Sequence, residues 1–185
     1  MKRFYHIKSV TSGLIDLLEL FGSKQNLNIT RRSNSYNVDK RIPFTEWLSI
    51  LQEIEQHYAK PALGLEIAKY VQPSHLGTLG YIGLSCENLL EALPIFVKYQ
   101  RLCYDFMQMD VYFEGDDIVV TWEFDPNFKA GQLADETMIA ILFNIVNLMV
   151  FPNRVKLNKV QFVFERPKRP RAYEKYFECN VEFAL

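Results

Sequence analysis

The chain has 185 residues, 49% hydrophobic and 14% aromatic, so it is long enough to bury a core and too apolar to be disordered. Its 21 basic and 22 acidic residues nearly cancel, which excludes the positive excess that binding to a nucleic-acid backbone requires. Three widely spaced cysteines predict neither a disulfide framework nor a zinc site, and a reducing cytoplasm is the expected setting.

The first half of the sequence predicts helices. An amphipathic helix is expected to end at Gly22, with apolar residues spaced by three and four on its inward face: Leu14, Leu17, Leu18 and Phe21. A second helix is expected after Pro43, with the same spacing at Trp47, Leu48, Leu51, Ile54 and Tyr58. The run "PALGLEIAKY" predicts a third, shorter helix. No apolar stretch reaches the roughly 20 residues that span a bilayer, so no membrane contact is expected.

The segment "HLGTLGYIGLSCE", residues 75–87, contains three evenly spaced glycines, Gly77, Gly80 and Gly83. Their spacing differs from the G-x-G-x-x-G of a dinucleotide-binding loop, and the P-loop sequence does not occur. Glu87 stands where a nucleophile elbow would need its second glycine. Glycines three apart share one side of a helix, where they allow a neighbouring element or a ligand to approach closely. Packing is the favoured interpretation.

A further helical pattern begins at Ser85, the predicted N-cap, and continues to Tyr104 with a kink or restart at Pro94. The period then changes to two in "DVYFEGDDIVVTWEFD", which predicts a β-hairpin that turns between Glu114 and Asp117. One face of its second strand carries four apolar residues: Ile118, Val120, Trp122 and Phe124.

The last part predicts a mixture of elements. A helix in "GQLADETMIAILFNIVNLMVF" should end before Pro152, followed by a strand in "RVKLNKVQFVFE", a short helix in "PRAYEKYF" and a strand in "NVEFAL". The predicted fold class is α+β: a helical N-terminal part packed with a smaller mixed part that contains a hairpin, helices and further strands. Residues 1–185 are interpreted as one domain.

No local pattern predicts catalysis. The three histidines are dozens of residues apart, so metal-ligand spacing is absent, and no cofactor motif occurs. The acidic pair Asp116 and Asp117 lies in the hairpin turn, and the pair Asp135 and Glu136 lies near a helix start, so both are interpreted as structural. The basic run at 165–175 is interpreted as a solvated connector, or as a contact with an acidic partner or a neighbouring DNA-binding module.

One run resembles a known family. "ALGLEIAKYVQPSHLGTLGYIGLSCENLLEALPIFVKYQRL" is similar to the N-terminal regulatory domain of AraC-type transcription regulators, in the arabinose-binding-like subgroup that includes ornithine-utilisation and virulence regulators. The matching elements are Leu63-Gly64-Leu65, Leu76-Gly77, Leu79-Gly80-Tyr81, the Leu-Glu-Ala-Leu at 90–93, Tyr99 and Leu102. Weaker likeness extends over essentially the entire chain.

The resemblance implies a sensor domain that binds a small effector, forms a homodimer, or does both. It also implies that the chain stops before a C-terminal module with two helix-turn-helix motifs, through which alone DNA would be bound. It does not identify the effector. Two alternatives stay open: a dimerisation module without a ligand, and a small-molecule enzyme whose catalytic residues are scattered along the sequence.

An effector pocket is predicted between the glycine segment and the hairpin. The aromatic run at 99–113 surrounds a single arginine, a mixture that suits an apolar pocket for a molecule with one anionic group. The predicted wall comprises His75, Tyr81, Tyr99, Arg101, Tyr104 and Trp122. The alternative is a helix end packed on a sheet, with Tyr81 and Trp122 in the core and Arg101 in solvent.

Overall fold

The first elements are two helices, each entered from a strand of a small antiparallel sheet. The computed structural model describes residues 8–29, 40–105, 107–122 and 130–184. Strand β1 (Ser9–Thr11) leads into helix α1 (Ser12–Lys24), and strand β2 (Arg41–Pro43), which pairs with β1, leads into helix α2 (Phe44–His57). The predicted inward face of α1 is confirmed, and that of α2 is confirmed at Trp47, Leu51 and Ile54. Leu48 and Tyr58 are only half-buried, and Tyr58 lies just beyond the helix end.

Helix α1 ends two residues later than predicted. Gly22 lies inside the helix, and a Cβ there would come within 2.0 Å of the Ile29 side chain, which folds back onto it. Asn26 takes the left-handed conformation that often follows a helix end, with φ of 55°. Gly22 is therefore a packing position and not the stop signal.

Two short helices and two longer ones complete the helical part. Helix α3 spans Leu63–Ala68, a 3-10 helix spans Pro73–Leu76, α4 spans Thr78–Ser85 and α5 spans Leu89–Tyr99. The predicted helix start at Ser85 is wrong, because Ser85 ends α4 and Asn88 caps α5 by accepting a hydrogen bond from the Glu91 amide at 3.0 Å. Helix α5 continues past Pro94, so no restart occurs there.

The predicted β-hairpin is confirmed. Strand β3 (Met109–Glu114) pairs antiparallel with β4 (Asp117–Trp122), and Gly115 in the turn has φ of 61°, where glycine is unstrained. Ile118, Val120 and Trp122 are half-buried on one face of β4, whereas Phe124 lies outside the described residues.

The segment between α5 and the hairpin is anchored to the first sheet. A 3-10 turn (Gln100–Leu102) follows α5, and the Thr11 amide then donates to the Cys103 carbonyl at 2.7 Å. Arg41 donates to the Leu102 carbonyl at 2.9 Å and pairs with the Asp105 carboxylate at 3.2 Å. The start of the chain and the middle of the chain are thereby joined.

The C-terminal part is built on one long helix and a parallel strand pair. Helix α6 (Gln132–Met149) packs against α3, and strands β5 (Lys159–Phe162) and β6 (Asn180–Phe183) pair in parallel, with helix α7 (Arg171–Phe177) between them in sequence. Phe162 stacks on Phe183 at 5.8 Å between ring centroids and meets Tyr173 edge-on at 5.5 Å. These rings hold α7 on the strands, and the predicted α+β class is confirmed.

The glycines of α4 serve close packing. A Cβ on Gly80 would lie 2.0 Å from the carbonyl oxygen of Pro73, and one on Gly83 would lie 2.6 Å from the Phe96 ring. The space beside these two glycines is therefore occupied by protein, which agrees with the packing interpretation. Among the described residues, no helix is both long and apolar enough to cross a membrane.

We predict that Gly80→Ala destabilises the fold more than Gly83→Ala. Both substitutions gain similar helix propensity, but the obstacle at Gly80 is backbone, whereas the obstacle at Gly83 is the end of a side chain that can move. We expect Gly80→Ala to lower the free energy of unfolding by about 2–3 kcal/mol and Gly83→Ala by less than about 1 kcal/mol. Urea denaturation of the two matched variants measures the difference, and equal losses would contradict the packing argument.

Candidate functional site

His75 is placed by the 3-10 helix and has a structural partner. The side chain is buried, and its Nδ1 accepts a hydrogen bond from the Gln72 amide at 3.0 Å. Burial lowers the pKa of His75, against a smaller opposing effect of Asp16. The ring is therefore a neutral cap of the 3-10 helix.

Tyr104 and Trp122 are the two predicted wall residues that the structure brings together. The Trp122 indole Nε1 donates a hydrogen bond to the Tyr104 hydroxyl at 3.0 Å. Tyr104 is buried and bridges to Val10 of β1, and its burial raises the pKa of its hydroxyl. The pair joins the hairpin to the first sheet.

The other three predicted wall residues are exposed. Tyr81 is 60% exposed and Tyr99 is 40% exposed, and Arg101 also faces solvent. The Lys98 ammonium lies 5.1 Å from the centroid of the Tyr99 ring, so Tyr99 already has a cationic neighbour. A role of these six residues in binding stays a prediction.

Two of the three cysteine thiols have a raised pKa. Burial raises the pKa of the Cys103 thiol to about 12 and also raises the pKa of Cys179. Neither thiol is the low-pKa thiolate that nucleophilic catalysis uses. No group of three or more potential metal ligands occurs within the described ranges.

An open groove of about 860 Å³ lies between α3, α6, the loop that follows α6, and α7. Its volume falls within the range of about 300–1,000 Å³ that is usual for small-molecule sites. None of the six predicted wall residues lines it. Its lining combines apolar side chains with a few polar and charged ones: Pro61, Ala62, Leu65, Glu66, Lys69, Val71, Phe143, Asn144, Asn147, Leu148, Phe151, Pro152, Asn153, Arg154, Ala172, Lys175 and Tyr176.

A buried carboxylate fixes one end of the three helices around the groove. Glu136, on α6, is 2% exposed and accepts hydrogen bonds from the Gly64 amide at 3.1 Å, from Gln132 at 2.7 Å and from the Tyr173 hydroxyl. Gly64 belongs to α3 and Tyr173 to α7. One side chain thus ties all three helices together, and the interpretation of Glu136 as structural is confirmed.

Asn144 repeats this connection two turns further along α6. Its side-chain amide donates to the Ala68 carbonyl of α3 and to the Tyr176 hydroxyl of α7, both at 2.7 Å. Asn144 and Tyr176 both line the groove, so polar groups at a helix junction form part of its lining. Burial raises the pKa of Tyr176 to about 12, so its hydroxyl keeps its proton at neutral pH.

The loop after α6 forms one wall and is fixed by Asn147. The Asn147 side chain donates to the Phe143 carbonyl at 2.9 Å and accepts from the Val155 amide at 3.0 Å. Arg154 in this loop pairs with Glu178 at 2.7 Å. Phe151 remains 80% exposed at the groove, so an apolar surface is left in water there.

Two asparagines of α6 are a sequence signal for this groove. Asn144 and Asn147 are three residues apart in the otherwise apolar second half of α6, so they lie on the same side of it. Their joint position beside the apolar Phe143 and Leu148 indicates a polar patch facing a partner. Pro152 was predicted to follow the end of the helix, and it also lines the groove.

Fold and groove together define a mixed α+β module with an open groove on its surface. The sequence matches the family model described as the arabinose-binding domain of AraC transcription regulator, N-terminal, over residues 31–184. The chain therefore belongs to this family of N-terminal domains.

Two relatives agree with this assignment. The ornithine utilization regulator of Pseudomonas aeruginosa is 27% identical over 175 residues, which cover 92% of this chain and 51% of that protein. A crystal structure of the transcriptional regulator CdpR from Pseudomonas aeruginosa superposes with a TM-score of 0.66 at 17% identity, covering 92% of this chain and 51% of that one. The latter likeness shows the fold alone. The chain spans about half the length of both relatives.

We predict that Asp135, the neighbour of Glu136, makes stability depend on pH. Burial, and to a smaller extent the Glu136 charge, raises the pKa of Asp135 to about 6. Because the folded state holds this proton more tightly than the unfolded state, the contribution to stability is present at acidic pH and is lost as the pH rises through about 6.

Asp135→Asn removes this loss. The difference in unfolding free energy between the variant and the parent chain should grow in favour of the variant by about 1–2 kcal/mol as the pH rises from about 4.5 to about 7.5. Urea unfolding at both pH values measures the gain, with the exposed hairpin variant Asp116→Asn as the control. Parallel pH profiles for Asp135→Asn and the parent chain would contradict the prediction.

Proposed function

We propose that this chain is the effector-sensing part of an AraC-type transcription regulator, in which a small molecule binds and alters the regulatory state. The supporting observation is the groove of about 860 Å³, lined by apolar side chains with a few polar groups at a helix junction. Such a composition is typical of ligand sites. Family membership supplies the regulatory context, because both relatives are named as regulators.

DNA binding is proposed to reside in the part of the full protein that this chain does not include. The relatives are about twice as long as the matched region. The chain has a formal net charge of −1 and lacks the basic surplus of a DNA-binding domain. A homodimer and a cytoplasmic location are further parts of the proposal, as expected for a regulator acting on DNA.

We predict that at least one small metabolite stabilises the isolated chain. A thermal-shift panel should include amino acids with ornithine, sugars, fatty acids and aromatic acids, since the first relative is named for ornithine utilization. A ligand at about 100 times its Kd adds roughly 2.7 kcal/mol of stability, which for a domain of this size raises Tm by about 5–10 °C.

The outcome separates sensing from its two competitors. A chain that sediments as a dimer while no compound in the panel shifts its Tm would favour a dimerisation module without a ligand. Turnover of a general esterase, phosphatase or oxidoreductase substrate, abolished by one substitution, would favour an enzyme. The protonated thiols and the capped His75 support binding without catalysis.

We predict that residues 1–185 alone do not bind the cognate promoter. With 21 basic and 22 acidic residues, the chain offers no surplus of positive charge to displace counterions from DNA. An electrophoretic mobility assay at physiological salt should leave the promoter unshifted by this chain and shifted by the full-length regulator. Retardation of the promoter by the chain alone would contradict the proposal that DNA binding resides in another part of the full protein.

A further inference from the structure

The groove has a charge opposite in sign to that of the chain. Its lining contains three cationic side chains, Lys69, Arg154 and Lys175, and one carboxylate, Glu66, for a formal charge of +2. The whole chain has a formal charge of −1. A local surplus of one sign in a concave surface attracts ligands of the other sign. The groove is therefore suited to an anion.

Two of the three cations already have partners. Lys69 pairs with Glu66 at 2.7 Å, and Arg154 pairs with Glu178 at 2.7 Å. The Lys175 side chain, on α7, makes no ion pair or hydrogen bond with any described residue and is exposed. Lys175 is thus the cation of this lining that remains available to a ligand.

The residue next to it offers a hydrogen-bond donor. The Tyr176 hydroxyl oxygen accepts from the Asn144 amide at 2.7 Å, while its hydrogen is given to no acceptor among the described residues. A phenol whose oxygen accepts one hydrogen bond becomes a better donor of its own hydrogen. Lys175 and Tyr176 both line the groove, so an ammonium group and an O–H donor are both available there to a carboxylate.

The remaining lining is apolar and partly exposed. Phe143 is buried below the groove, while Leu148 is 45% exposed and Phe151 is 80% exposed. Covering these side chains with an apolar ligand body would remove their surface from water. The groove accordingly combines an anion-binding end with an apolar wall.

We propose that the groove binds a small organic acid, whose carboxylate contacts Lys175 and Tyr176 and whose apolar body covers Leu148 and Phe151. This inference rests on the proposed effector-sensing function and specifies its site and ligand class. It also places the effector away from the wall formed by His75, Tyr81, Tyr99, Arg101, Tyr104 and Trp122. The two locations predict different effects of the same substitutions on the Kd of the ligand.

The experiment uses matched acids and amides on the isolated chain. Phenylacetate and octanoate are titrated beside phenylacetamide and octanamide, with binding followed by changes in amide NMR signals. Each acid should bind at least about tenfold more tightly than its amide, because a charge-assisted hydrogen bond contributes more than a neutral one. Added salt should weaken the acids more than the amides.

Variants locate the site. Lys175→Gln and Tyr176→Phe should each raise the Kd of the tighter acid by roughly tenfold. The Tm should change little in Lys175→Gln and fall by about 2–4 °C in Tyr176→Phe, which also loses the hydrogen bond from Asn144. Lys168→Gln, an exposed lysine outside the groove, and Tyr112→Phe, an exposed tyrosine on the hairpin, are the matched controls and should leave Kd unchanged. Arg101→Ala tests the other location and should also leave Kd unchanged.

Each outcome either supports or overturns the assignment of the ligand site to the groove. Acids no tighter than amides, or a Kd unaffected by Lys175→Gln and Tyr176→Phe, would overturn the groove assignment. A Kd raised by Arg101→Ala alone would move the site to the hairpin region. If other compounds raise the Tm while the acids are silent, sensing stands and the ligand class fails; if no compound in the full panel binds, the sensing function itself fails.

Discussion

The approach of α3 to α6 at Gly64 is the constraint on which the C-terminal part of the structure depends. A Cβ on Gly64 would lie 2.5 Å from the Glu136 Cβ and 2.6 Å from the Thr137 amide nitrogen, so only glycine allows the two helices to come this close. At this distance the Gly64 amide reaches the Glu136 carboxylate at 3.1 Å. A buried carboxylate without such donors would cost several kcal/mol. The close packing at Gly64 and the hydrogen bonding of the Glu136 carboxyl group therefore depend on each other.

This contact determines where α7 and the groove lie. Glu136 also accepts a hydrogen bond from the Tyr173 hydroxyl, so the side chain that contacts α3 also positions α7. Tyr173 is in turn surrounded by Phe162 and Phe183 of the parallel strands. Since α3 and α7 both attach to α6, the space left between their far ends is the groove, and its floor carries Asn144. The groove is a consequence of how three helices meet.

Sequence periodicity predicted the elements well because it reports burial. The hairpin, α6 and α7 appear where period and turn residues placed them. The helix ends at Lys24 and Asn88 differed, since caps depend on a few local hydrogen bonds, and strands β1 and β2 were not predicted, since three residues are too few to show a period. The groove was not predicted, because its residues come from three separate segments of the sequence, 61–71, 143–154 and 172–176. The packing role of Gly80 was favoured from the sequence, whereas its contact with Pro73 required the structure.

The two polar connections on α6 differ in strength, and this difference bears on how a bound molecule would act. The Glu136 carboxyl group is 2% exposed and accepts from three donors, and removing one donor would leave a buried acceptor less satisfied at a cost of about 1.5–3 kcal/mol. Asn144 is neutral and only partly buried, so losing its hydrogen bond to Tyr176 costs about 1 kcal/mol. A ligand that accepts the hydrogen of the Tyr176 hydroxyl leaves this hydrogen bond in place, because the Tyr176 oxygen still accepts from Asn144. Binding at this end of the groove would therefore add to the connection between α6 and α7, while the Tyr176 and Phe177 rings stay packed on Phe143.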